Sequence, residues 1–292
     1  SFLPSFVPSH LLFFLRKVDG IFQKKLEKLF EKKKKKKKKK MDFSVSDIFS
    51  SGLQNNKLPE TCFILGGGPS LHKEDVESLW KQRFLDIIKK GIGKERKEDL
   101  SFCLFVINNS YLLAPWADLL YFGDLKWFLL HRDRREFQDF LGAKVTIRQD
   151  IQDFLGTSEG INKIHAIKKG RYAGLCKEPG SVGHGNNSGH QIINLCWHLG
   201  FKRVVLLGFD MRWKDGKNHW DGHDGHPGQP SDESEYEVFM LPFFKELAQD
   251  IREDGRMVVL NATEGSALLD FPFTSLEQEL ELLKKDKNSF VH

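Results

Sequence analysis

The chain has 292 residues, enough for one large domain with a sizeable core. Its formal charge of +5 would suit an anionic partner, but the excess is local. Residues 1–40 carry fourteen basic against three acidic side chains, +11, which leaves −6 for the rest. A mildly acidic body argues against nucleic acid as the partner of the folded part.

Residues 1–40 read as foreign to the fold. They include nine consecutive lysines, 32–40, and the first methionine is Met41. An A-rich DNA tract translates into such a run, so translation is expected to begin at Met41, with 1–40 either untranslated upstream sequence or a disordered Lys-rich leader. The apolar run Leu11–Leu15 is too short to span a bilayer and precedes its positive charge, unlike a signal peptide. The four cysteines are scattered and form no CxxC pair, so neither a disulfide framework nor a structural zinc is expected. A cytoplasmic protein without a transmembrane segment fits this pattern.

From Met41 onward, short apolar runs alternate with helix-like stretches. The first strand, Cys62–Leu65, runs into Gly66-Gly67-Gly68-Pro69-Ser70, and Ser70 is expected to cap a helix through about Lys81. An exposed loop is expected over Lys89–Asp99. Strands follow at 102–107 and 118–122, then a helix over roughly 125–141, a strand at 143–147 and an irregular stretch with a short strand near 164–167. Ser188 opens a helix with apolar spacing to Leu199, stopped by Gly200. A strand at 204–207, a His-rich loop from 212 to 234, a helix over 236–253, a strand at 257–260 and a terminal helix near 275–285 complete the chain. Nearly all-apolar strands alternating with helices predict an α/β fold: a single Rossmann-like domain, core 60–270, with a parallel sheet covered on both faces.

In such sheets ligands bind beyond the carboxyl ends of the strands. After strand one, the glycine turn 66–70 can admit a phosphate to its amides, or is simply a tight turn. After strand two stand Asn108 and Asn109, suited to a base or ribose, or to turning the chain. Asp124 and Asp210 follow later strands; each suits a metal or ribose hydroxyl, or a capping role. Asn187, Ser188 and Gly189 begin a helix whose amides can face an anion. The loop from Lys217 to His226 holds His219, His223 and His226 with Asp221 and Asp224. These are metal ligands, a general base or merely a solvated loop. Phe122, Trp197, Phe209 and Phe243 read as core rather than stacking platforms.

The succession GGGPSL (66–71), NNSY (108–111), FGD (122–124), NNSGHQIINLCWHLGFKRVVLLGFDM (186–211), DGKNHWDGH (215–223) and NATEGSAL (261–268) resembles the MptE-like family. That family includes the 6-hydroxymethylpterin diphosphokinase and motility accessory factors that glycosylate flagellin, with phage and prophage members. It is similar also to bacterial sialyltransferases that use a CMP-sugar. The resemblance implies a nucleotide-dependent transferase. Gly66, Gly68, Pro69 and Ser70 would form the phosphate turn, with Gly67 inside it. Asn108 would contact the ribose or base, Ser188 and Gly189 would line the nucleotide site, and Asp210 would lie beside it. Under the sialyltransferase likeness His223, in His219-x-x-Gly222-His223, matches the general base, and Arg212 or Lys214 would steady the leaving phosphate.

The departures pull two ways. Gly67 stands where the sialyltransferases have asparagine, and Arg212 where they have a phosphate-binding tyrosine. Asp124 is present as in the diphosphokinase-type members, where it implies a divalent metal such as Mg²⁺. The expected chemistry is therefore glycosyl transfer from a CMP-sugar or diphosphoryl transfer from Mg-ATP, with a non-catalytic nucleotide-binding protein as the third reading. The acceptor (glycan, protein or pterin) is open.

Overall fold

The computed structural model of the chain describes residues 58–90, 100–154, 164–222 and 232–288. Expectations for 1–40, for the loop beyond Lys90 and for His223, Asp224 and His226 lie outside the described residues.

In chain order the elements are β1 (Thr61–Leu65), α1 (Lys73–Lys90), β2 (Phe102–Ile107), β3 (Leu119–Phe122), α2 (Leu125–His131), α3 (Arg135–Gln138), β4 (Ala143–Thr146), β5 (Ile164–Ala166), β6 (Lys168–Lys169), β7 (Ser181–Val182), α4 (Ser188–His198), β8 (Arg203–Leu207), α5 (Ser234–Phe239), α6 (Leu241–Asp254), β9 (Val258–Asn261) and α7 (Leu276–Asn288). Seven strands form one parallel sheet in the order β5-β4-β3-β2-β1-β8-β9, and β6 and β7 form a small parallel ribbon. This is the single-domain, Rossmann-like α/β architecture that the alternation of elements predicts.

Strand residues alternate between two cores. Cys62 and Ile64 of β1 face a core closed by Ile192, Ile193 and Leu195 of α4 and by Phe244, Leu247 and Ile251 of α6. Phe63 and Leu65 face the opposite core, closed by Val76 and Leu79 of α1, Trp127 and Phe128 of α2 and Leu276 and Leu283 of α7. Burial on both faces is why the strands read as continuous apolar runs. All four cysteines are buried free thiols. Phe122 and Phe209 are core, whereas Trp197 and Phe243 are only half-buried. No helix of the described residues is long and apolar enough to cross a membrane.

Two expected helices break. The 125–141 stretch divides at Arg132–Arg134, where α2 gives way to α3. The 236–253 stretch divides at Met240, where Pro242 supplies a new first turn. Helix α1 begins two residues later than a cap at Ser70 predicts and runs to Lys90 rather than about Lys81; Ser70 makes its bonds elsewhere, and Asp75 accepts from the His72 N–H at 3.2 Å.

Candidate functional site

The chain runs outward from β1 through β2, β3, β4 and β5 on one side, and through β8 and β9 on the other. The strand order therefore reverses between β1 and β8. At such a reversal the connections leave in opposite directions and open a crevice at the carboxyl edge. The Gly66–Ser70 turn and Gly208-Phe209-Asp210 face each other there.

Each glycine of the turn accommodates the protein's own chain. A Cβ on Gly66 would lie 2.4 Å from the Gly208 carbonyl oxygen, one on Gly67 2.5 Å from His219 Nε2, and one on Gly68 within the Asp210 carboxylate at 1.9 Å. The amides are engaged as well. Gly66 donates to Leu207 O and Gly68 to Gly208 O, both at 2.8 Å. Ser70 donates its N–H to Asp210 Oδ1 at 3.1 Å and its hydroxyl to Asp210 Oδ2 at 2.9 Å. In this conformation the anion seated on Ser70 is the carboxylate of Asp210.

Asp210 is 3 % exposed, and burial pushes its carboxyl above the ordinary range against the opposing pull of the Ser70 bonds. Tyr236 stands close by, its hydroxyl pushed up to about 12 by burial and then by the charge of Asp210. The backbone around Asp210 is held from β9. Phe209 N–H donates to Thr263 Oγ1 at 3.0 Å, Ser266 Oγ donates to Phe209 O at 2.6 Å, and Ala267 N–H donates to Asp210 O at 2.8 Å. Asn261 braces that segment by donating to Leu268 O and accepting from Thr263 N–H, each at 3.0 Å.

The segment 217–222 lies across the mouth of the turn. Trp220 N–H donates to Gly67 O at 3.0 Å. His219, 1 % exposed, meets Asp221 Oδ1 through Nδ1 at 2.6 Å. Asp221 Oδ2 accepts from Asn109 Nδ2 at 2.9 Å, and Asn109 Oδ1 accepts from Trp127 Nε1 at 2.8 Å. A continuous relay thus runs from α2 to the imidazole and fixes that ring against Gly67. Asn109 is buried with both ends of its amide engaged, which makes it a brace rather than an open ligand contact. Ser110, fully buried, donates its hydroxyl to Gly66 O.

Asn108 differs. It adopts a left-handed φ of 47°, and its buried Oδ1 has no hydrogen-bond partner among the described residues. The buried Trp220 Nε1 is likewise unpartnered there. An unmatched buried polar atom costs roughly 1–3 kcal/mol, a cost that a ligand able to bond it would remove.

Asp124 caps α2 by accepting from Trp127 N–H at 2.9 Å. Asn187 caps α4 by accepting from Gly189 N–H at 2.6 Å. Gly189 lets that helix start pack on Phe209, whose ring would be 2.6 Å from a Cβ there. Ser188 Oγ lies beside Gly123, whose Cβ would stand 3.1 Å from it. Arg212 and Lys214, two and four residues beyond Asp210, are exposed. Among the described residues no three His, Cys, Asp or Glu side chains gather to hold a metal.

The structure therefore brings Gly66–Ser70, Asn108, Asn109, Asp210 and His219 to one edge, with Asp124 and Ser188 at the end of β3, two strands from β1. Asp221, expected as a possible metal ligand, braces His219 instead, and Ser110, Thr263 and Ser266 complete the site with no expectation attached to them. A signal existed for the last two: two hydroxyl residues and a glycine directly after a strand, in a motif otherwise used only for the resemblance. No family model, no curated protein and no solved structure matches the chain.

Proposed function

We propose that the chain is a nucleotide-dependent transferase, with a CMP-sugar as the donor that fits best and a histidine of the 217–223 segment as general base. The observation that carries this reading is the placement of His219, braced by Asp221, at the crevice where the strand order reverses. The MptE-like and sialyltransferase-like motifs fall on that same edge. With Nδ1–H donated to Asp221, the imidazole lone pair sits on Nε2. It accepts the proton of an acceptor hydroxyl while the acceptor oxygen attacks the anomeric carbon. The sugar–phosphate bond breaks, and the electron pair leaves with the nucleotide phosphate beside Arg212. Asn108 Oδ1 accepts a ribose hydroxyl or base amine. Because the ring is 1 % exposed and Ser70 holds Asp210, the 217–222 segment lifts from Gly67 when substrate enters.

Asp124 supports a second reading, in which Mg-ATP binds beside it and a pyrophosphoryl group passes to a pterin-like alcohol. Only one of its oxygens serves the helix cap.

Thermal shift of the full chain with CMP, CDP, ATP, GTP and UDP, with and without Mg²⁺, tests these readings, since a ligand of the native state raises apparent stability. A shift with CMP or CDP that ignores Mg²⁺ is expected. A shift with ATP that needs Mg²⁺ selects the diphosphokinase reading, and no shift with any nucleotide overturns both. Once a donor is found, His219→Ala is expected to lower turnover about 10²–10⁴-fold. Asp221→Asn is expected to lower it less and to move the pH profile, with nucleotide binding retained.

A further inference from the structure

A second concavity opens on the carboxyl edge, three strands from β1. It is a groove of about 480 Å³ lined by Ile147, Arg148, Gln149 and Asp150 after β4 and by Lys168 and Lys169 of β6. Among the described residues that line it, three are cationic and one is anionic, on a chain whose residues beyond the lysine run sum to −6. Such a local excess calls for a reason, because the average surface of this body is acidic.

The two kinds of cation there are in different states. Arg148 is closed on Asp150: Nε donates to Oδ1 at 2.8 Å and Nη2 to Oδ2. Its fork, the geometry that grips a planar carboxylate, is taken. Lys168 and Lys169 are exposed, and neither has a salt-bridge partner among the described residues. The field of Lys169 reaches inward. His184 is held below its ordinary range by burial and by the charge of Lys169, and the carboxyl of Asp150 is lowered by Arg148 and, to a smaller extent, by Lys169. Ammonium groups without a fork act as point charges, which suit a compact multivalent oxyanion such as phosphate.

The groove adjoins the end of β3 and the start of α4. Ile147 on its wall lies 3.8 Å from where a Gly123 Cβ would be, and Ser188 Oγ of α4 lies 3.1 Å from the same point. Gln191, one turn further along α4, donates Nε2 to His184 O at 2.7 Å and accepts from Tyr121 OH at 3.0 Å, so the junction of β3 and α4 is firmly bonded. At ordinary inter-strand spacing β4 lies about 14 Å from β1, within reach of one acceptor.

We propose that this groove binds the acceptor by a phosphate group, so that the transferase acts on a phosphorylated acceptor whose hydroxyl is directed toward His219. The proposal rests on the transferase reading for its role, but the anion site itself stands apart from it. Each substrate then has its own anchor, with the donor at the β1/β8 crevice and the acceptor phosphate beyond β4 and β6.

Calorimetric titration of the full chain with inorganic pyrophosphate tests it. The wild type is expected to bind, and Lys168→Glu with Lys169→Glu is expected to weaken binding about tenfold or more. Lys284→Glu with Lys285→Glu on exposed α7, the same change in net charge, is expected to leave binding unchanged, as is Asn108→Ala with Ser188→Ala at the crevice. Lys168→Gln with Lys169→Gln gives the intermediate loss and guards against a folding defect. Equal affinity in the groove variants, or equal weakening by the α7 pair, overturns the proposal. Loss of binding in the crevice variant places the anion at the nucleotide site and also overturns it. Nucleotide binding, read separately by thermal shift, reports on the transferase reading: its absence beside intact pyrophosphate binding sinks that reading and leaves the groove in place.

Discussion

The two edges of the sheet handle buried polarity in opposite ways. At the amino edge, charges meet charges. Arg83 reaches Asp118 at 2.6 Å with both side chains nearly buried, and Asp118 also accepts from Leu104 N–H at 2.8 Å. Arg203 bonds both oxygens of Glu279 at 2.6 and 2.9 Å. At the carboxyl edge, Asp210 is buried on a serine with no cation in salt-bridge reach among the described residues. Asn108 Oδ1 and Trp220 Nε1 have no partner there. The amino edge pairs its buried charges, with Arg83 Nε alone left unmatched in the Arg83–Asp118 pair, while the carboxyl edge keeps unmet capacity at Asn108 and Trp220 of the kind a ligand meets.

The sharpest way to break this contrast is to open the amino edge. Arg83→Met strands the Asp118 carboxylate and is expected to cost about 3–5 kcal/mol in urea unfolding, because an uncompensated buried charge is worse than a missing pair. A loss below 1 kcal/mol would mean that this edge is not the stabilising one.

Gly68→Ala comes next. Its Cβ would overlap Asp210 and stand 2.8 Å from the Gly208 carbonyl, a backbone atom that cannot swing aside. A loss of about 1–3 kcal/mol is expected. A neutral result would show that the turn and Asp210 do not meet as described.

Asp210→Asn probes the same contact through pH. The folded state raises the carboxyl above its unfolded value, so the folded protein binds the proton more tightly. The ionised group therefore costs stability at neutral pH, and that cost is relieved as pH falls from the raised folded value toward the ordinary carboxylate range. Relative to the asparagine variant, the wild type is expected to gain stability over that acidic interval. A parallel pair of pH curves would contradict it. The smallest effect belongs to the exposed Arg135–Asp139 pair at 3.4 Å, where Arg135→Ala is expected to change stability by about 0.5 kcal/mol or less.

Most of the frame was legible because it rests on local pattern. Cys62–Leu65, Phe102–Ile107 and Arg203–Leu207 are short apolar runs ended by glycine or asparagine, and each is a central strand. The residues that follow them were read as site residues for the same reason. Less legible was what each one does. Ser70 looked like a helix cap, and Gly66–Gly68 like space for a phosphate. Their partners are Asp210, His219 and Gly208, about 140 residues away along the chain, and no local pattern carries such a pairing.

The amino-acid sequence by itself determined the α/β alternation, the buried parallel strands and the crowding of glycine, asparagine, aspartate and histidine just beyond the strand ends. Periodicity and turn chemistry act over a few residues, and a linear reading captures them. Only the tertiary structure decided that the order reverses between β1 and β8, that Asp210 rather than a solvent-facing amide occupies Ser70, and that Asn109 and Asp221 fix His219. Those outcomes depend on which strands pair and which loops then meet across the edge, a choice made by packing both faces of the sheet at once.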